Sequence, residues 1–379
     1  MAGRTRAAIE LARAGRAELS ELGRVCEWVD ILIAEELFAL GEWEAADAAR
    51  PSSEERHVGT TRVYHDLVLA DLALARGDHP AVAALVDDAL GIDSATAEPQ
   101  FSGTLQVLSA ELARRGGDLD AARAAIDAGL DVIRRTGDQD PMRLAALGAA
   151  GVTVEADAAQ RARDLGEADA ETAALERAER MLCDVRRAVA VMGPLARVEP
   201  AYLATAEAEA TRAAGRSDPS AWARAVAAWE VPGRPYPAAT ARWREAEALI
   251  AAGDRDGAGR AAGEALATAR ALGAGWLESE VEGLAARARL RLGDEPAGEG
   301  EAAETDGEAQ PEADPFGLTP RERQVLALLA AGATNRQIGA ALYMAEKTAS
   351  VHVSRILAKL DVRSRTEAAA VAHRHGLAA

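Results

Sequence analysis

Lys347, Thr348, Ser350, Val351, Ser354, Arg355 and Lys359 crowd into one short stretch, and as a set they suit one kind of chemistry. None is a nucleophile beside a base, and none belongs to a metal-ligand cluster. They are short hydroxyls, one small apolar side chain and three long cations. Such a set fits the edge of a nucleic-acid duplex. Lysine and arginine hold phosphates, small polar groups reach base edges, and a Val methyl can touch a thymine methyl. A helix would bring them together. At about 100° per residue, Ala349, Val353, Ile356 and Leu360 share one face. Lys347, Ser350, Val351, Ser354, Arg355 and Ala358 take the other, with Val351 near its centre. His352 falls at the boundary and reads as a packing or orienting residue.

The elements that must position this face are legible from capping chemistry. Thr319-Pro320-Arg321-Glu322 is a capping box with Pro at the first helical position. The helix it opens carries Val325, Leu326, Leu328 and Leu329 and ends at Gly332. Thr334-Asn335-Arg336-Gln337 is a second capping box, opening a helix that buries Ile338 and Leu342. Asn335, in that turn, joins the candidate DNA contacts. After a turn at Tyr343–Glu346, a third helix runs from Lys347 to Leu360. Ser364-Arg365-Thr366-Glu367 opens a fourth, which ends before Gly376 and offers Ala368, Ala369 and Ala372 as a small face. A helix, a short turn and a longer second helix make the helix-turn-helix that reads DNA in the major groove.

These motifs resemble the C-terminal DNA-binding domain of LuxR/GerE-family transcription regulators. The likeness rests on Leu-Thr-Pro-Arg-Glu, Thr-Asn-x-x-Ile, Lys-Thr-x-x-x-His-Val, Lys-Leu-x-Val and Arg-Ser-Arg-x-Glu-Ala, all in order. It implies that the third helix enters the major groove. Ser350, Val351 and Ser354 match base-facing positions, while Lys347, Thr348, Arg355 and Lys359 match backbone-contacting ones. It also implies a homodimer on DNA, paired through the fourth helix. Three positions depart from the family: Ala345 where a Ser or Thr N-cap is usual, Ala349 for a core Val, and Asp361 for a C-cap Gly. They bear on tightness and leave the DNA-facing chemistry in place.

Charge divides the chain. Over 317–379 nine basic residues stand against four acidic ones, a net +5, whereas the whole chain carries −18 and the remainder therefore −23. Asp294–Asp314 holds nine acidic residues, no basic ones, and Gly and Pro throughout, so 294–315 reads as an acidic flexible linker. A basic module on an acidic body is the pattern of a DNA-binding chain. Aromatics are 3% of the 379 residues, so Ala and Leu must carry the packing, which favours close-packed helices. Cys26 and Cys183 read as buried small apolar residues of a reduced cytosol. No apolar run is long enough to cross a membrane.

Residues 1–293 read as helices joined by Gly-containing turns. Gly77-Asp78, Gly117-Asp118 and Gly253-Asp254 recur, with Gly41-Glu42 as a weaker copy. After each Gly-Asp come small or apolar residues on one helical face: Val82, Val86 and Ala89; Ala122, Ile126 and Gly129; Ala258, Ala262 and Ala265. The spacing resembles tetratricopeptide-like repeats, although Gly151–Ala190 shows no unit, and an irregular α-helical bundle is the alternative. Trp222, Trp229, Trp243 and Trp276 are expected to anchor helix pairs. The fold class expected is all-α: a helical-repeat domain over 1–293, the linker, and a four-helix LuxR-type domain over 316–379.

Lys347 and Lys359 are the only lysines. That excludes a phosphate loop, so tight ATP binding and turnover are not expected. No zinc spacing or nucleophile elbow occurs, so neither an enzyme nor a cofactor is expected. Helical repeats before such a DNA-binding domain resemble the C-terminal half of large ATP-binding LuxR-type regulators, without their nucleotidase domain. The resemblance leaves open a short stand-alone regulator or part of a longer protein. In that family the repeats receive a small inducer or a protein partner. The function expected is a sequence-specific, cytoplasmic transcription regulator, with RNA polymerase as a further partner. A repeat scaffold docking proteins and a sigma-factor-like promoter reader are the alternatives.

Overall fold

The computed structural model describes residues 2–23, 26–50, 59–92, 98–135, 140–193, 197–290, 292, 320–330, 333–334, 337–338, 353, 356, 359–360, 362 and 365–374. The linker lies outside them. The chain divides into two compact units, Met1–Pro296 and Ala297–Ala379. The fold is all-α, with no strand among the described residues.

The first unit is a succession of helices: α1 (Ala2–Glu21), α2 (Glu27–Ala39), α3 (Trp43–Ala49), α4 (Gly59–Arg76), α5 (His79–Leu90), α6 (Pro99–Arg115), α7 (Leu119–Arg135), α8 (Pro141–Leu165), α9 (Ala168–Met192), α10 (Glu199–Ala213), α11 (Pro219–Glu230), α12 (Pro235–Ala252), α13 (Arg255–Leu272) and α14 (Gly275–Ala288). From α4 onward they pack as consecutive pairs. The Gly-Asp units make the turns. Gly77, Gly117 and Gly253 all have positive φ, which lets the chain reverse in one residue. Each following Asp caps the next helix: Asp78 accepts from the Ala81 amide, Asp118 from Ala121 and Asp254 from Gly257. The small residues at the repeated spacing are buried where α5, α7 and α13 meet their partners.

Gly77 shows why the turn requires glycine. Its φ is +87°, and an added Cβ would lie 3.2 Å from the Trp276 backbone nitrogen. Gly77→Ala should therefore destabilise this unit by about 1–2 kcal/mol, chiefly through the left-handed backbone, as urea denaturation would show.

The pair that the repeat pattern does not reveal is the longest. Helices α8 and α9 run for 25 residues each and turn at Gly166, again with positive φ. Here the capping position is Glu167, whose longer side chain makes no cap hydrogen bond. The fifth residue after the glycine is the charged Glu171, which binds Arg163 at 2.8 Å. The buried stripe starts at Ala174 instead, and continues through Ala178, Leu182 and Val185.

Trp222, Trp229 and Trp243 are buried as expected, while Trp276 is half-buried beneath a guanidinium. The cysteines differ from expectation. Cys183 is exposed, because it lies off the apolar stripe of α9, and Cys26 is half-buried at the N-cap of α2.

The first helices of the pairs face a common interior, and the stack turns back on itself. Trp43, Leu72 and Ala75 share one apolar cluster with Ala239, Trp243, Ala265 and Leu277. This interior is charged as well as apolar. Arg114 binds Glu111 at 2.7 Å and Asp157 at 2.8 Å, and Arg212 binds the same Asp157 at 2.8 Å and Glu209 at 2.6 Å. Arg115 binds Glu111 at 2.8 Å and the Leu74 carbonyl at 2.7 Å, and its guanidinium lies 3.6 Å from the Trp276 ring centre. Burial alone would raise Glu111, but Arg114 and Arg115 outweigh it and hold the carboxyl well below the usual range.

Candidate nucleic-acid interface

The second unit is built on α15 (Pro320–Ala330) and α16 (Arg365–Arg374). Val325, Leu326 and Leu329 are one stripe of α15, buried against Ala368 and Ala372 of α16. Between these helices the capping box forms as its sequence requires. The Thr334 amide donates to Gln337 Oε1 at 2.8 Å, and the Gln337 amide donates to Thr334 Oγ1 at 3.3 Å. This fixes the start of the helix that carries buried Ile338.

Val353, Ile356 and Leu360 close the core. Their spacing of three and four residues is one helical face, and Val353, Ile356 and Lys359 are in helical conformation. The apolar side of the third helix is therefore the one expected. Ala349, the remaining member of that stripe, and the boundary residue His352 lie outside the described residues.

Of the candidate DNA contacts, Lys359 is exposed on the helix, off the core-facing stripe. Asn335, Lys347, Thr348, Ser350, Val351, Ser354 and Arg355 lie outside the described residues. The structure thus anchors the third helix by its buried face and gives one of its cations.

The dimer face expected on the fourth helix needs correction. Ala368 and Ala372 are fully buried in this unit's own core, and Ala369 packs against it. Small residues there allow α16 to approach α15 closely, so Ala368 and Ala372 are not available to a second copy, while Ala369 stays partly exposed.

A family model described as "Bacterial regulatory proteins, luxR family" matches residues 317–372. Those residues are a luxR-family helix-turn-helix domain. The luxR-family domain is 50% identical over 60 residues to the transcriptional regulatory protein LiaR of Bacillus subtilis (strain 168), covering 16% of this chain and 28% of LiaR. It is 48% identical over 62 residues to YhcZ, an uncharacterized transcriptional regulatory protein of the same strain, covering 16% and 29%. It is 52% identical over 56 residues to the DNA-binding transcriptional activator DevR/DosR of Mycobacterium tuberculosis (strain ATCC 25618 / H37Rv), covering 15% and 26%. The chain spans little more than a quarter of the length of these relatives. No solved structure matches it. The luxR-family domain and its relatives are those of DNA-binding transcription regulation. No helix among the described residues is long and apolar enough to cross a membrane.

Proposed function

We propose that this protein is a sequence-specific transcription regulator that binds double-stranded DNA through its luxR-family domain, as a homodimer on a two-half-site operator. The observation that carries the reading is the buried stripe Val353, Ile356 and Leu360, which orients the third helix. In the sequence, Val351, Ser354 and Arg355 fall off the helical stripe that Val353, Ile356 and Leu360 define. Ser350, Val351 and Ser354 are then the base readers. Lys347, Thr348, Arg355 and Lys359 hold phosphates, and Asn335 adds a contact from the preceding turn. Domain limits at 1–293 and 316–379 with a tether between them belong to the same reading. So do the helical repeats as the sensory half, taking a small inducer or a protein, and recruitment of RNA polymerase from the cytoplasm. The charge pattern and lack of a catalytic constellation support a binding role over an enzymatic one.

Two substitutions separate reading from positioning. Val351→Ala should cost about 1 kcal/mol or more on the preferred duplex and little on scrambled DNA, by the scale of one base contact. Lys359→Ala should weaken all duplexes alike and lower the slope of log K against log salt by about one. Binding would be measured on both duplexes across a salt series, after selecting the preferred site by genomic pull-down. Identical behaviour of the two variants, or none, would transfer the role of this domain to protein docking.

A further inference from the structure

The outer layer of the first unit carries a groove that its own packing does not fill. It lies between α7 and α9, the second helices of two successive pairs, and its volume is about 470 Å³. Each wall is one helical stripe. Asp127, Leu130 and Arg134 lie at i, i+3 and i+7 on α7. Arg177, Arg180, Asp184 and Arg187 follow one another at three- and four-residue steps on α9. Leu130 and Met181 are buried and belong to the apolar cluster beneath, so they are the floor.

One end of the groove is closed by a fixed strut. Arg177 binds Asp127 across it at 3.1 Å and the Glu155 carboxylate of α8 at 2.8 Å. Arg123 of α7 binds the same Glu155 at 2.6 Å. Glu155 is fully buried, so this knot fixes three helices and commits Arg177 to them. Arg187 is likewise taken, by Asp184 at 2.5 Å. Arg134 and Arg180 differ. Among the described residues Arg134 pairs only with Asp131 of its own helix, at 3.4 Å, and Arg180 only with Glu176 of its own helix, at 3.9 Å. Both guanidiniums are more than half exposed, and surface pairs of this kind hold weakly against water.

The lining says which kind of ligand fits. Arg134 and Arg180 stand on opposite walls above an apolar floor. A guanidinium presents a planar fork of donors that suits a carboxylate or a phosphate. Leu130 and Met181 suit an apolar body below that anion, and an unbranched thioether adapts to its shape. Acidic side chains also line the groove, but they are engaged. Asp127 and Asp184 are held by Arg177 and Arg187. Glu179 lies 3.8 Å from Arg186 and accepts from the Cys183 thiol at 3.6 Å. The volume falls within the range of about 300–1,000 Å³ usual for small-molecule sites.

We propose that the groove between α7 and α9 binds a small organic anion, a carboxylate or phosphate monoester on an apolar body, gripped by Arg134 and Arg180 over Leu130 and Met181. The proposal rests on the reading of the helical repeats as the sensory half, and it names the chemical class of what they sense. A ligand held from both walls ties α7 to α9 along the groove, where the Arg177 strut joins them at one end only. Cys183 lines the same groove and is exposed, so its thiol reports on occupancy.

Isothermal titration calorimetry of the full chain, without DNA, tests this. The probes are benzoate, octanoate and phenyl phosphate. Benzyl alcohol, octanol and phenol are their neutral counterparts, and inorganic phosphate is an anion without an apolar body. At least one probe should bind at one site per chain, while its neutral counterpart and inorganic phosphate fail. Arg134→Gln and Arg180→Gln should each weaken binding about fivefold or more, the scale of one charge-assisted hydrogen bond. Both side chains are exposed, so the fold survives their replacement, as circular dichroism would confirm. The bound anion should also slow alkylation of Cys183 by iodoacetamide and leave Cys26 unaffected. Absence of binding by all three anions overturns the proposal. So does undiminished binding by both variants, binding that leaves Cys183 unprotected, or equal binding of a neutral counterpart or inorganic phosphate. Operator binding is measured separately. Loss of that alone would sink the regulator reading and leave the anion site standing.

Discussion

Glu111→Gln should destabilise the helical unit by about 3 kcal/mol at neutral pH, the scale of breaking a buried ion pair from one side. Two guanidiniums depend on this carboxylate. Arg114 keeps Asp157, but Arg115 is left with a backbone carbonyl, the Tyr236 hydroxyl and the Trp276 ring. Both arginine side chains are at most 9% exposed, so water cannot replace the lost charge. The pH dependence follows from the lowered pKa of Glu111. A depressed carboxyl stabilises fully above its unfolded value of 4.5, and that contribution is lost as pH falls towards its folded value. Urea denaturation at pH 7 should therefore separate the two proteins widely. The gap should narrow steadily below pH 4.5. A gap that stays constant down to pH 3 would mean that the substituted amide disturbs packing rather than charge.

Asp71→Asn should move stability the other way, by about 2–4 kcal/mol at pH 8. Its carboxyl is raised from 3.8 to about 7 by burial and by Glu35. Each unit is worth about 1.4 kcal/mol between the two protonation states, which makes the upper figure a ceiling. A raised carboxyl destabilises most above its folded value, and that penalty vanishes as pH falls below its unfolded value. The variant should thus melt higher than the parent at pH 8 and together with it near pH 4. Thermal unfolding across that range checks it. A destabilised Asp71→Asn at pH 8 would show that Asp71 holds a partner that stabilises the ionised form. Two acids of one interior respond oppositely because one has its guanidiniums and the other has none.

Much of this architecture can be read in the sequence because glycine and aspartate act locally. A Gly with positive φ followed by an Asp cap is a short-range device, so Gly77-Asp78, Gly117-Asp118 and Gly253-Asp254 announce their turns. The Thr334–Gln337 box is visible for the same reason. Gly166-Glu167 hides the longest pair because Glu does not cap and the buried stripe is displaced. Long-range facts leave no such trace. Nothing near Glu111 in the chain foretells Arg115 lying over Trp276, and nothing near Asp71 foretells Glu35. Alternation of small residues on α16 reads equally as an external or an internal face, and packing against Val325 and Leu326 decides for the internal one. Of the candidate DNA contacts, the structure gives only Lys359 directly.

The shared cluster of Trp43, Leu72, Ala75, Trp243 and Leu277 changes how the helical unit must come apart. An open array of repeats frays from its ends, each repeat released with only its neighbour's consent. Here residues some two hundred positions apart are mutual supports. Loosening α14 exposes α4, and loosening α4 exposes α14 in turn. Neither side of that cluster is free to open first, so the slow amide protons of α4 and α14 should exchange together. Folding should carry the same signature: contacts between early and late helices are of large sequence separation, which slows the folding of the unit relative to an open array.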